Sequence, residues 1–146
     1  MAIDQRTADM IELEDLWTRF FELKRRRVRG LAEEYGLSLL QFVTLRHLDE
    51  PVAMGQLAET MAFDASYVTA IADGLEEHGL LERRVSPTDR RVKQLVLTDK
   101  GRALRRDAMM RMAEIHPLYV YLNDSERRAF ADLLGKVVAA EQAERS

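Results

Sequence analysis

Cysteine is absent from the 146 residues, which removes disulfides, thiolate catalysis, thiol redox sensing and cysteine-ligated zinc together. Histidine is scarce, and His47, His78 and His116 stand far apart with no metal-ligand spacing. No phosphate-cradling glycine loop, nucleotide fingerprint or nucleophile–base pair is present, and the seven glycines are scattered as caps and turns. These absences point to a binding protein without catalytic residues, metal or cofactor. No stretch approaches the roughly 18 uncharged apolar residues that a membrane span requires. The start, MAIDQRTADM, has neither the basic n-region nor the apolar h-region of a secretory signal. The expected location is the cytoplasm, with no membrane partner.

What the chain does contain is apolar residues at 47% and charged residues at 32%, enough for a helix-rich soluble core and a subunit interface. The net charge of −3 hides a strong segregation. Residues 19–29 carry six bases against Glu22 alone, whereas residues 47–82 carry eight acids and no Lys or Arg. Residues 83–106 then hold nine bases and two acids, a net +7. Screening cuts phosphate attraction off within about 8 Å at physiological salt. A local +7 segment can therefore bind a polyanion on a chain that is acidic overall.

Apolar residues at Met10, Leu13, Trp17, Phe20, Val28, Leu31 and Tyr35 recur at helical steps and predict one long helix over 9–35. Such a helix outruns one small domain, so part of its stripe is expected to meet a second subunit. Gly36 can end it; Ser38, with Gln41 three residues on, can cap a second helix that stops before Pro51. Two short helical segments follow, with Leu57, Ala58 and Met61 on the first and Val68, Ile71, Ala72 and Leu75 on the second. Ala62-Phe63-Asp64 is the turn between them and Asp64 the candidate N-cap, giving a helix-turn-helix outline. Residues 80–85 and 92–97 are strand-like around the turn chemistry of Ser86-Pro87-Thr88-Asp89-Arg90-Arg91, which predicts a two-stranded wing. Thr98 can cap a helix interrupted or ended at His116-Pro117. Asn123, with Glu126, opens a last helix striped by Phe130, Leu133, Leu134, Val137 and Val138, and the polar tail from Glu141 is expected to fray.

From Leu57 to Leu104 the chain resembles the MarR family of bacterial regulators. The strongest piece is Arg84-Val85-Ser86-Pro87-Thr88-Asp89-Arg90-Arg91 followed by Leu97-Thr98-Asp99-Lys100-Gly101, similar to that family's wing signature. Leu57-Ala58, Val68-Thr69 and the run Leu75 to Arg83 resemble its helix-turn-helix, in the right order and spacing. The resemblance implies a mainly α fold with a small β-hairpin wing. A winged helix-turn-helix at 38–97 would lie between dimerisation helices at 1–37 and 98–146, intertwined in one domain per subunit.

It also implies a ligand-responsive repressor that binds double-stranded DNA as a homodimer on a pseudopalindromic operator. By resemblance Asp89 braces the wing by pairing with an arginine, and Arg91 enters the minor groove. Arg84, Arg90 and Lys93 belong to the same cationic surface, with Arg90 placed for a phosphate. The recognition helix, from about Asp64 to His78, would present Ala65, Ser66, Tyr67, Thr69 and Ala70 to the major groove. It departs from the family by carrying no Arg or Lys, so bidentate arginine-to-guanine readout is missing from it. The family commonly takes small aromatic ligands, and Trp17, Phe20, Phe21 and His47 are candidates to line such a site, although core packing accounts for them equally well. The absence of cysteine excludes a cysteine-oxidation switch. The alternative is a winged-helix protein–protein interaction module with weak or no DNA binding, favoured by the acidic 47–82 segment.

Overall fold

The computed structural model describes residues 4–144. Helix α1 runs Gln5–Glu34, 30 residues or about 45 Å, and starts ahead of the apolar periodicity. Gly36, at φ +68°, ends it in the left-handed region that glycine adopts without strain, and the Leu37 N–H returns to Ala32 O at 3.0 Å. Ser38 and Gln41 form the expected reciprocal capping box at the start of α2, Leu39–Thr44. The second helix is shorter than its sequence suggests, because its last turn tightens into a 3-10 turn over Leu45–His47. Arg105 takes up the carbonyls that this leaves, donating to Leu45 O at 3.0 Å and pairing with Asp49 at 2.7 Å.

Helices α3 (Met54–Met61) and α4 (Ala65–Glu77) follow, then strands β2 (Leu81–Val85) and β3 (Lys93–Leu97), after a short β1 at Val52–Ala53. The sheet has the order β1-β3-β2 and is antiparallel throughout, with Val52 opposite Leu95 and Leu81 opposite Leu97. The expected two-stranded wing is thus a three-stranded sheet, because the two residues before α3 pair with the free edge of β3. Leu95 and Leu97 point into the core while Lys93 is exposed. Helix α5 is Asp99–Ile115, and the expected break at His116-Pro117 starts the short α6, Pro117–Tyr121. His116 Nδ1 accepts from the Leu118 N–H there, and Pro117 occupies the first turn, where no N–H is needed. Asn123 and Glu126 cap α7 (Asp124–Glu144) reciprocally at 3.0 and 2.9 Å. That helix runs on past Glu141 to Glu144, whose last residues Glu141, Gln142, Ala143 and Glu144 are good helix formers, and the rest of the tail expected to fray lies outside the described residues.

The chain divides into two compact units, residues 28–112 and residues 1–27 with 113–146. In the first, Phe42, Leu45, Leu57, Leu75 and Leu80 are essentially inaccessible. Tyr35 stacks on Phe42 at 5.7 Å and donates its hydroxyl to Asp107. Burial, then that hydrogen bond, raises the Tyr35 pKa above its ordinary value. In the second unit Trp17 packs against Phe21 at 5.1 Å and Phe130 at 6.5 Å, but no residue of α7 is buried. Among the described residues no helix is long and apolar enough to cross a membrane.

Candidate nucleic-acid interface

Helix α3 ends on Ala62 at φ 53°, and the Phe63 N–H returns to Ala58 O at 3.0 Å, a tight turn that sends the chain into α4. The other end of the turn is Asp64, whose backbone caps α4 but whose side chain makes no capping bond. Helix α4 buries Val68, Ile71, Ala72 and Leu75. The opposite face leaves Ala65, Ser66, Tyr67, Thr69 and Ala70 exposed, so the five positions read as groove-facing share one open surface. The Tyr67 ring packs edge-on against Phe63 at 5.6 Å, which limits its swing. Thr69 donates its hydroxyl to Ala65 O at 2.9 Å, so it meets a base edge as an acceptor or through its methyl, not as a free donor.

The wing tip is held by its own backbone. Ser86 is buried at 4% exposure; its N–H donates to Val92 O at 2.9 Å and its hydroxyl accepts from the Thr88 and Asp89 N–H groups. Asp89 Oδ1 accepts from the Arg91 N–H at 2.9 Å, and the Val92 N–H donates to Asp89 O at 3.0 Å. Asp89 therefore braces the turn, but through a backbone amide; among the described residues it has no arginine partner. A carboxylate two residues before the N–H it accepts closes an Asx-type loop locally, with no distant cation required. The Arg90, Arg91 and Lys93 side chains are exposed and carry no hydrogen-bond or ion-pair partner among the described residues. Arg84, also exposed, pairs with Glu82 on its own strand, so its charge is partly offset.

Two further cations have jobs that the sequence does not reveal. Arg83 pairs with both Asp73 and Glu76 on the far half of α4. Lys100 donates to His78 O at 2.8 Å, Thr98 Oγ1 donates to Gly79 O at 2.7 Å, and the Thr98 N–H donates to Leu80 O at 3.1 Å. Three consecutive carbonyls at the C-terminus of α4 are thereby clasped by the first turn of α5. This gives the Leu-Thr-x-x-Gly run its physical meaning. Gly101 lies so close to Leu80 that a β-carbon would run into the Leu80 carbonyl oxygen. The nearest sequence signal for Arg83 is a strand arginine seven residues after a helical glutamate, which shows nothing until the turn at Gly79, φ +67°, brings them together.

The basic cluster at 24–29 splits as its helical spacing requires. Arg27 turns inward, donating to Ile115 O at 2.7 Å and Tyr121 Oη at 3.1 Å, while Arg25, Arg26 and Arg29 are exposed. Of the four aromatic-site candidates, Trp17, Phe20 and Phe21 form one cluster with ring centroids 5.1–6.1 Å apart; His47 belongs to the other compact unit. Beside Trp17, helices α1 and α7 leave an apolar groove of about 360 Å³ lined by Leu13, Phe130, Leu133, Leu134 and Val137.

A helix-turn-helix with an exposed second-helix face and a cationic, braced hairpin is DNA-binding equipment, and comparison with known proteins agrees. The MarR family profile matches residues 37–93. The HTH-type transcriptional regulator MhqR of Bacillus subtilis is 31% identical over 109 residues, 71% of this chain and 74% of MhqR. The structure of a MarR family protein from Bacillus stearothermophilus superposes with a TM-score of 0.79 at 24% identity, covering 97% of this chain and 99% of that one. CouR from Rhodococcus jostii RHA1, solved bound to p-coumaroyl-CoA, is 29% identical with a TM-score of 0.72 over 86% of this chain and 90% of its own. With the profile over the winged region and a relative of this identity over most of its length, the chain belongs to the MarR family: it is a winged helix-turn-helix transcription regulator, not an enzyme.

Proposed function

We propose that the protein acts in the cytoplasm as a homodimeric, ligand-responsive repressor on a pseudopalindromic operator. The observation that carries this reading is the wing tip, where Arg90, Arg91 and Lys93 project without internal partners from a turn braced by Asp89 and Ser86. A rigid cationic tip loses little entropy on binding and suits the negative potential of a minor groove. In this assignment Arg91 enters the groove, Arg90 and Lys93 meet phosphates, and Arg84 adds charge at the rim. On α4, Ser66 and Tyr67 bond base edges, Thr69 accepts, and Ala65 and Ala70 lie against thymine methyls. Residues 38–97 are the DNA-binding region, flanked by dimerisation segments at 1–37 and 98–146. Dimerisation is supported by Leu13, Leu16, Leu133 and Val137, each more than half exposed on α1 and α7. A small aromatic compound is the proposed effector, supported by the Trp17–Phe20–Phe21 cluster.

The competing reading, a protein–protein module, draws on the acidic 47–82 segment. Much of that acidity is answered internally, since Asp49 pairs with Arg105, Asp73 and Glu76 with Arg83, and Glu82 with Arg84. Salt dependence separates the two. If each wing of a dimer places three cations on phosphates, log K for promoter DNA falls against log salt with a slope of about −5. A flat dependence, or no binding at low salt, favours the protein-interaction reading.

A further inference from the structure

A reading helix without a single base faces an electrostatic problem that its sequence makes worse. Helix α4 carries Asp73, Glu76 and Glu77 and no Lys or Arg, so its own charge opposes approach to a polyanion. Asp73 lies one helical turn past Thr69, on the exposed side of α4, and Glu76 three residues further on, at 54% and 43% side-chain exposure. Both carboxylates are held by the one guanidinium of Arg83, whose side chain is only 21% exposed and which reaches across from β2. With two of its five N–H donors on separate carboxylates and its side chain largely covered, the fork is held in place and aimed at α4.

We propose that Arg83 is the internal counter-ion of the recognition helix: it cancels part of the charge on Asp73 and Glu76 and so lets a base-free α4 lie close to DNA without itself touching the duplex. The inference rests on the DNA-binding reading above and names a residue that this reading leaves out. It divides the basic segment by task. Arg90, Arg91 and Lys93 attract DNA, and Arg83 removes repulsion.

The arrangement makes a charge series that a structural role does not reproduce. Asp73, Glu76 and Arg83 sum to −1 in the natural chain. Arg83→Gln makes the sum −2, Arg83→Gln with Asp73→Asn and Glu76→Gln makes it 0, and Asp73→Asn with Glu76→Gln alone makes it +1. Affinity of the full-length protein for a fluorescein-labelled duplex of its own promoter region, read by anisotropy at low salt, is expected to rise in that order of charge. Arg83→Gln should bind at least about fivefold more weakly than the natural chain, and the spread should collapse as salt shortens the screening length to about 3 Å at 1 M.

The triple variant should regain or exceed natural affinity. Breaking a tie between α4 and β2 would not allow that recovery, because the triple variant lacks the tie as well. A triple variant as weak as Arg83→Gln overturns the proposal. So does weakened binding by Asp73→Asn/Glu76→Gln, a variant that keeps Arg83 and is informative even if Arg83→Gln melts early. A natural chain that leaves the duplex unbound at low salt overturns DNA binding itself, a result distinguishable from failure of the counter-ion alone.

Discussion

At the scale of single residues, three arginines close in sequence divide into different roles according to what lies within reach of their guanidinium groups. Arg83 is consumed by two carboxylates, Arg84 shares its charge with one, and Arg91 has none. Only the last keeps its full complement of donors for a ligand. Arg91→Ala should therefore weaken operator binding by about 1–3 kcal/mol in each half-site. Its backbone N–H, which Asp89 uses, is retained in the variant, so the wing turn survives. Circular dichroism and sedimentation should match the natural protein; a drop in helicity or in self-association would contradict a purely DNA-facing role. Arg91 is legible in the sequence because the turn Ser86-Pro87-Thr88-Asp89-Arg90-Arg91 places it at a tip whatever the rest of the fold does. Arg83 is not, because the partners that define its role arrive through tertiary packing. Asp89 falls between the two: its bracing role is legible, its use of an amide in place of an arginine is not.

At the scale of elements, the helices and the wing hairpin announce themselves and the third strand does not. Ser38–Gln41 and Asn123–Glu126 each put a capping pair at fixed spacing before an apolar stripe, and both boxes form. Strand β1 is two residues long, too short for any period to register, and exists because β3 has an edge to fill. The 3-10 turn at Leu45–His47 likewise depends on Arg105, sixty residues downstream of Leu45. The junction between α4 and α5 yields a sharper test. Gly101→Ala places a methyl against the Leu80 carbonyl, which is backbone already committed to Thr98 and unable to retreat. Overpacking of this kind costs about 1–3 kcal/mol, and the expected lowering of Tm should come with weaker operator binding, because the clasp on His78, Gly79 and Leu80 loosens with it. A Gly101→Ala protein as stable as the natural chain would show that α5 does not grip the recognition helix as described.

At the scale of the whole molecule, the uneven distribution of burial is the dominant fact. Val28, Leu31 and Ala32 are the only buried residues of the 30-residue α1, and α7 offers none among 21. A bare apolar stripe of this kind supports the proposed dimer interface on α7. Leu133→Glu with Val137→Glu puts two charges into that stripe, and a two-fold dimer carries each change twice. With one buried Leu or Val side chain worth about 1.5–3 kcal/mol, the double variant should run as a monomer in sedimentation at concentrations where the natural chain is dimeric, with its helix content largely kept. A dimer that persists would move the interface away from α7.

Trp17 is the sole tryptophan of the chain, and it is half-buried beside that same stripe, against Phe21 and Phe130. The molecule therefore carries a built-in optical reporter on the surface assigned to assembly. Its emission should shift to the red as the protein is diluted through its dissociation midpoint, and back to the blue on reconcentration, with no dye and no tag. The same single indole would report an aromatic effector settling beside it, so assembly and effector binding can be followed on unmodified protein in one cuvette.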